Sequence, residues 1–246
     1  MNAGKKTTKT KMRHIMKSLL VPALVLGAAR AVQAQHIEAG ALGTTQGSQL
    51  YFENGATYVA GSGYVKPLTY SSTGRYAGYL NGGITFTALP ATSTFEPANP
   101  NAAALGSFLE LGIVSVQGPT GGAFQFWEGA DQGGGAGWSV SYQVGYSVAT
   151  PSFTWDLSDP ATAGGPGEDP YGHLHGRRFT VTGGTGTYTV GFQIVDTSFN
   201  GAGGGPIHTP SETYYVQFNA VPEPSEYAAM AGVTLVGFAL WRRRKA

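Results

Sequence analysis

Apolar and polar residues alternate with a period of two in several stretches of this chain, as they do in half-buried β-strands. The clearest stretches are Trp138–Val144, Tyr188–Ile194 and Tyr214–Ala220, where every second residue is aromatic or aliphatic. Leu109, Leu111 and Ile113 form a similar row. Further strand candidates are Phe124–Trp127, Ser152–Trp155, Tyr51–Phe52 and Ile84–Phe86. The pattern predicts many short strands, each with one face in a core.

Glycine-rich turns separate these rows. Gly118–Gly122 and Gly183–Gly186 each lie between two predicted strands, where glycine suits tight turns. Outside the two ends of the chain, no stretch has the 3.6-residue period of a helix. We therefore predict an all-β fold: one antiparallel β-sandwich or jelly-roll-like domain. The proline-rich segment Pro90–Asn101 is expected to cross between sheets, and Asp156–Gly172 to form a long acidic loop.

The N-terminal region has the order of a secretory signal peptide. Its basic residues are Lys5, Lys6, Lys9, Lys11, Arg13 and Lys17. An apolar stretch, Leu19–Ala29, follows, and Val32-Gln33-Ala34 ends in the small-x-small pattern of a cleavage site. We expect residues 1–34 to be removed after Ala34, with cleavage after Ala31 as the alternative.

The C-terminal 26 residues combine three features. A polar motif is followed by the apolar run Tyr227–Trp241, which predicts a transmembrane segment over 227–241, and then by a basic cluster that halts the chain with its positive end in the cytoplasm. The run is short for a permanent span, which needs ~20 residues. The polar motif is Val221, Pro222, Glu223, Pro224 and Ser225, and the basic cluster is Arg242, Arg243, Arg244 and Lys245.

These C-terminal residues resemble the PEP-CTERM sorting signal of Gram-negative bacteria. The resemblance implies an exosortase substrate: a membrane protease recognises Pro222-Glu223-Pro224, removes the tail and passes the protein to the cell surface or the extracellular matrix. Before processing, the C-terminal segment would tether the chain to the inner membrane. The expected organisation is a signal peptide (1–34), a β-sandwich ectodomain (35–220) and a sorting signal (221–246).

Without its two ends the chain is strongly acidic. Residues 35–220 contain 4 of the 15 Lys and Arg and 12 of the 14 Asp and Glu, a net charge of 4 − 12 = −8 against +1 for the whole chain. Such a domain is a poor nucleic-acid partner, because phosphate contacts need clustered Lys and Arg. The chain has no cysteine, which excludes disulfides, thiolate metal ligands and cysteine nucleophiles.

Histidines are the best candidates for chemistry. His173 and His175 would lie on one face of an extended segment, about 7 Å apart, and could ligate one ion. His208, in a loop before the last predicted strand, is the expected third ligand, and His36 is the expected fourth. Asp169 or Glu212 would be an oxygen ligand in place of one of them. Imidazole and carboxylate without cysteine favour zinc, with copper or nickel as alternatives.

The segment Gly172-His173-Leu174-His175-Gly176-Arg177-Arg178-Phe179-Thr180, followed by Gly186–Phe192, resembles a module of zinc-regulated bacterial surface-anchored proteins. The resemblance implies a surface protein that binds zinc through these histidines, in zinc acquisition or storage. We expect no enzyme activity, because no serine, histidine and aspartate set or Gly-x-Ser-x-Gly motif is present. The alternative function is a structural or adhesive protein of an extracellular exopolysaccharide matrix, without a metal site.

Overall fold

The computed structural model describes seven stretches of the chain, all within one compact unit, Ala34–Ala246. Only the backbone is described for residues 173, 174, 224–230, 239, 243 and 244. The described stretches are 36–53, 65–92, 96–127, 139–159, 164–174, 178–220 and 224–244. The predicted signal peptide therefore lies outside the described residues.

The described residues form strands and one helix. The strands are β1 His36–Ala41, β2 Leu50–Phe52, β3 Lys66–Tyr70, β4 Leu80–Gly83, β5 Thr85–Ala88, β6 Leu109–Gln117, β7 Ala123–Trp127, β8 Ser139–Gln143, β9 Thr154–Asp156, β10 Gly172–Leu174, β11 Arg178–Thr182, β12 Gly186–Asp196 and β13 Tyr214–Ala220. The helix is α1, Pro224–Arg244.

The strands form two sheets. The small sheet has the order β10-β5-β1-β2, and the large sheet has the order β8-β7-β11-β4-β3-β13-β12-β6-β9. Most neighbours are antiparallel, but β1 pairs with β5 and β3 pairs with β13 in parallel. The predicted all-β, sandwich-like fold is confirmed, and the two parallel pairings are a departure from the expected purely antiparallel arrangement.

The large sheet curls so that its two ends approach each other. Residues just after β8 hydrogen-bond to β6: the Val116 N–H donates to the Tyr146 carbonyl at 3.0 Å, and the Val148 N–H to the Val114 carbonyl at 2.9 Å. Inside the curl, the Phe126 ring of β7 stacks on the Trp155 ring of β9 at 3.9 Å. An aromatic contact between strands so far apart in the sheet order shows how tightly the sheet bends.

The small sheet covers the open side of this curl with aromatic residues. Phe86 lies 5.3 Å from Phe192, and Phe52 lies 4.8 Å from Tyr214, measured between ring centroids. Phe179 is fully buried and contacts further rings from three strands of the large sheet. Those rings are Phe124, Phe126, Phe192 and Phe218. Because the chain has no disulfides, its stability depends on packing in this aromatic core.

A two-stranded ribbon belongs to both sheets. β4 and β5 are separated only by Ile84, yet β4 lies in the large sheet and β5 in the small one. Their antiparallel partners, β11 and β10, divide between the sheets in the same way. Burial keeps its alternation through the junction, since Ile84 and Phe86 are buried while Gly83 and Thr85 are half-buried. The outward face of the ribbon is therefore continuous from one sheet to the other.

The alternating rows predicted from the sequence are confirmed where they are described. Leu109, Tyr188, Phe192 and Phe218 are each 0% exposed, on the predicted core side. Trp138 lies outside the described residues. The alternation did not predict β3 and β4, because Pro67 and Gly82-Gly83 are untypical of strand interiors.

α1 covers the region of the predicted sorting signal, with Pro224 at its first residue, where proline is well tolerated. Val221, Pro222, Glu223 and Lys245 lie outside the described residues. In the described part of the chain, no helix has both the length and the apolar character to cross a membrane. The transmembrane segment over 227–241 stays a prediction.

Replacing Phe179 by alanine should lower the free energy of unfolding by about 3–5 kcal/mol, because it leaves a cavity among the core rings. The matched control is Phe199→Ala, since Phe199 is 81% exposed and its loss should change stability by less than about 0.5 kcal/mol. Urea unfolding followed by tryptophan fluorescence measures both. Equal losses in the two variants would contradict the assignment of Phe179 to the core.

Candidate metal-binding face

The outer face of the small sheet brings together residues from three separate parts of the sequence. In β1, Ile37 and Ala39 are buried in the core, so His36 and Glu38 lie on the opposite, outer face. β5 follows the same alternation: Phe86 and Ala88 are buried in the core, and Thr85 and Thr87 lie on the outer face. This alternation decides which residues can meet a ligand outside the sandwich.

Strand register aligns these residues across the sheet. His36 lies opposite Thr85, and Glu38 lies opposite Thr87, in the parallel pair β1–β5. On the other side of β5, His173 of β10 also lies opposite Thr87. Directly paired residues share a face, so the register places Glu38, Thr87 and His173 in one row across three strands. We call His36, Glu38, Thr85, Thr87 and His173 the outer-face cluster.

The spacing within the outer-face cluster suits a bound ion. Glu38 and His173 are two strand spacings apart, about 9.6 Å between backbones. His36 lies two residues along β1 from Glu38, a distance of about 7 Å. Between them the central strand carries only threonines, so no long side chain of β5 itself stands between the two flanking strands. Donor atoms from two flanking strands could approach one ion at about 2.0–2.2 Å each.

Thr87 is an unusual residue in this row. It is only 8% exposed although it belongs to the outer face. Its Oγ1 has no hydrogen-bond partner in the described part of the chain. A buried hydroxyl without a partner carries a free-energy penalty of about 1–3 kcal/mol. A ligand or an ordered water between the flanking strands would remove that penalty.

The same face is electronegative. Tyr51 pairs with Gly40, and the backbone N–H of Glu53 donates to the Glu38 carbonyl at 2.8 Å, so both residues continue the outer face onto β2. Burial, and then the negative charges of Glu53 and Glu38, raise the pKa of Tyr51. The carboxylate of Glu53 accepts hydrogen bonds from Asn101 at 3.0 Å and Asn99 at 3.4 Å. The potential at this face therefore favours a cation.

The outer-face cluster includes two of the four histidines predicted as ligands. His36 and the backbone of His173 are on this face, whereas His175 lies outside the described residues. Within the residues whose side chains are described, no three His, Asp or Glu side chains are grouped to hold a metal ion. The imidazole of His173 is not among those side chains, so the predicted His173 and His175 pair stays a prediction.

His208 is placed elsewhere. It is 2% exposed, and its Nε2 accepts the Ala104 N–H at 2.9 Å while Nδ1 donates to the Ser48 carbonyl at 3.0 Å. Ser48, its partner, lies two residues before Leu50, and Leu50 pairs with Ala41 at the end of β1 opposite to His36. That end is about 17 Å from His36 along the strand. To ligate a metal, His208 would have to give up the hydrogen bond at its coordinating nitrogen, and it lies far from the outer-face cluster, so the proposal below does not include it.

Asp196 holds the loop that carries His208. This buried carboxylate accepts backbone hydrogen bonds through both oxygens, Oδ1 from Phe108 and Ser198 and Oδ2 from Ile207 and His208, at 2.9–3.1 Å. Four donors on one buried carboxylate satisfy its charge without a metal. The histidine and aspartate of this loop therefore have a structural role.

The two alternative oxygen ligands are also engaged by protein groups. Asp169 Oδ1 accepts the N–H groups of Ala91 and Tyr171, and Oδ2 accepts the N–H and hydroxyl of Thr92. Burial opposes the charged form of Asp169, but these hydrogen bonds outweigh it and lower the pKa. Glu212 is exposed and accepts a hydrogen bond from Gln49 at 3.3 Å. Asp169 joins two loops rather than facing the outer-face cluster.

One pair of carboxylates was not expected from the sequence. Glu110 of β6 lies directly opposite Asp156 of β9, and burial, then the charge of Glu110, raise the pKa of Asp156. Glu110 accepts hydrogen bonds from the hydroxyls of Thr154 and Thr197.

An open groove in the described part of the chain lies away from this pair and is lined by residues without titratable side chains. They are Thr44, Ala91, Ala98, Asn99, Pro100, Ala102, Ala103, Ala104 and Leu105. The prediction that the protein is not an enzyme has not been tested.

Glu38, Thr85 and Thr87 are the members of the cluster that the sequence did not predict. The spacing His36-Ile37-Glu38 is itself a short alternating pattern, and it could have indicated that His36 and Glu38 share a face. The pairing of β1 with β5 could not have been found this way, because parallel partners are joined by long connections.

No known protein family, curated protein or solved structure matches this chain.

Replacing Asp169 by asparagine should lower the midpoint of thermal unfolding at pH 7. The lowered pKa means that the carboxylate stabilises the fold above the pKa of the unfolded chain, about 3.9. This contribution is lost as the pH falls through the still lower folded value. The difference between wild type and Asp169→Asn should therefore shrink below pH 4. The exposed neighbour Glu168 provides the control Glu168→Gln, and a difference independent of pH would contradict the assignment.

Proposed function

We propose that this protein is exported and binds a divalent transition metal, most suitably zinc, on the outer face of its small sheet. The observation that carries the proposal is the strand register that puts His36, Glu38 and His173 on one face, on both sides of β5. His175 belongs to the proposed ligand set from its sequence spacing to His173. The ligands would thus be three imidazoles and one carboxylate, a set that suits zinc.

Each residue of the cluster has a distinct role in this proposal. The histidines donate neutral imidazole nitrogen, and Glu38 adds a negative charge that offsets part of the charge of the ion. Thr85 and Thr87 have short side chains, so β5 itself leaves room for an ion between the flanking strands. The Thr87 hydroxyl would hydrogen-bond to a water molecule bound to the metal. Bound metal supplies a fixed cross-link between β1 and β10, which lie on either side of β5.

Export and surface sorting form the second part of the proposal. They are supported by the signal-peptide pattern of residues 1–34, the PEP-CTERM-like residues 221–225 and the Arg242–Arg244 cluster. A domain without cysteine also suits an oxidising location with imidazole and carboxylate ligands. Zinc acquisition or storage at the surface of a Gram-negative cell is the role that joins the two parts, with the membrane protease of the PEP-CTERM pathway as processing partner.

Zinc affinity should depend on pH, because protons compete with the metal for imidazole nitrogen and an ordinary histidine titrates near pH ~6.5. Isothermal titration of the full chain, purified without a histidine tag, should give at least tenfold weaker zinc binding at pH 5.5 than at pH 7.5. Equal affinity at the two pH values would count against imidazole ligands.

Removing single ligands should separate the cluster from the other candidates. His36→Ala, His173→Ala and Glu38→Gln should each weaken zinc binding at pH 7.5 by at least tenfold, as loss of one ligand or its support commonly does. The matched control for Glu38→Gln is Glu212→Gln, which should bind zinc like the wild type. Unchanged affinity in Glu38→Gln would exclude Glu38 as a ligand, and unchanged affinity in all three variants would refute the site.

A further inference from the structure

Two carboxylates lie directly opposite each other at the edge of the large sheet. Glu110 of β6 pairs with Asp156 of β9, and β9 is the last strand in the order of that sheet. The Leu157 N–H donates to the Leu109 carbonyl at 2.9 Å, so that pair is hydrogen-bonded. In an antiparallel ladder the next pair, Glu110 and Asp156, is then of the non-hydrogen-bonded kind, with about 4.5 Å between the Cα atoms. The ladder therefore holds the two acidic side chains close together.

Both carboxylates lie on the outer face of the sheet, where they are half-buried. The next pair along the ladder, Leu111 and Trp155, is buried in the core, so the alternation of strands turns Glu110 and Asp156 outward together. Like charges directly opposite each other in a sheet are destabilising. Burial, and then the charge of Glu110, raise the pKa of Asp156, in keeping with this geometry.

Asp156 is the member of the pair that we expect to take up a proton. Glu110 Oε1 accepts the hydroxyl of Thr197 at 3.0 Å, and Glu110 Oε2 accepts the hydroxyl of Thr154. Both oxygens of Glu110 thus already have a donor. Each still has a lone pair, which can accept the O–H of a protonated Asp156.

The surroundings of the pair add no positive charge from its own strands. β6, β9 and β12 contain no lysine, arginine or histidine. Val195 of β12 lies opposite Glu110, so the next residue, Asp196, faces the other side of that strand, where four N–H groups bind it. Asp159, three residues beyond Asp156, is exposed. These further carboxylates cannot offset the repulsion within the pair.

We propose that Glu110 and Asp156 form a pH-sensitive switch that holds β9 to β6 more firmly in acid than at neutral pH. At neutral pH both side chains are ionised and repel each other across the ladder. In acid, one proton from the solvent adds to Asp156, and the pair loses one of its two negative charges. The new O–H donates to the Glu110 carboxylate, which is a strong kind of hydrogen bond.

The strand that this switch controls closes the curl of the large sheet. β9 has three residues and lies at the end of the sheet order, next to β6. Its Trp155 ring stacks on Phe126 of β7 at 3.9 Å, so a loosened β9 would uncover part of the core. The switch does not rest on the proposed metal site, which lies on the other sheet. Acid, which should weaken zinc binding, would at the same time fasten β9.

The variant Asp156→Asn tests the switch, because it removes the charge, keeps the size and leaves an N–H donor near Glu110. A carboxyl whose pKa is raised in the folded protein adds stability as the pH falls through the folded value, down to the unfolded value of about 3.9. Asp156→Asn should therefore raise the midpoint of thermal unfolding of the full chain at pH 7.5 by about 2 °C. This gain should disappear as the pH falls towards 4.

Two further measurements make the test specific to the pair. In a Glu110→Gln background, where the repulsion is already absent, Asp156→Asn should give little of its gain. At pH 7.5, the amides of residues 154–158 should exchange hydrogen roughly twofold more slowly in Asp156→Asn than in the wild type. The control Asp159→Asn removes an exposed carboxylate and should leave both readouts unchanged. All samples contain EDTA, so the result is independent of the metal site.

Three outcomes would overturn the proposal. An unchanged or lower midpoint in Asp156→Asn at pH 7.5 would show that the paired charges do not weaken the fold. A gain as large at pH 4 as at pH 7.5 would show that it does not depend on the proton. A gain of full size in the Glu110→Gln background would show that Glu110 is not the partner of Asp156.

Discussion

The switch of one ribbon between two sheets at Ile84 is the constraint on which the rest of this structure depends. Ile84 is buried, and the alternation of inward and outward residues passes through it without interruption. For that reason, Gly83 and Arg178 on the large sheet and Thr85 and Thr87 on the small sheet all belong to one outward surface. The proposed metal site lies on the part of this surface that belongs to the small sheet.

The sequence predicted the fold class because apolar and polar residues alternate strictly along the core strands. Every second residue of Tyr188–Ile194 and Tyr214–Ala220 is apolar and faces inward, and glycine-rich turns separate the strands. This alternation did not predict β3 and β4, because they contain proline and paired glycines in place of the usual strand residues. A Cβ on Gly82 would lie 2.9 Å from Leu68 Cδ2, which gives a physical reason for a glycine there.

The candidate site was less predictable than the fold. His36 and His173 could be named from residue type and spacing, but their common face depends on β5 lying between β1 and β10. That pairing joins segments distant in the sequence and leaves no local pattern. His208 shows the opposite problem: its loop position suggested a ligand, whereas its burial with a backbone partner on each ring nitrogen could only be seen in three dimensions. Glu38 was not predicted as a ligand, because a single glutamate in a sequence indicates a metal site less specifically than a histidine does.

The outer-face cluster draws its members from β1, β5 and β10, three strands that are far apart in the sequence, and we expect it to assemble late in folding. Contacts between sequence-distant strands form slowly, because long loops must close before the contacts are gained. An ion that binds only after these three segments meet stabilises the native state by mass action and not the unfolded chain. In this topology, capture of the proposed ion would require a completed fold, and scarcity of the ion would leave the edge strand β10 held to the small sheet only by its pairing with β5.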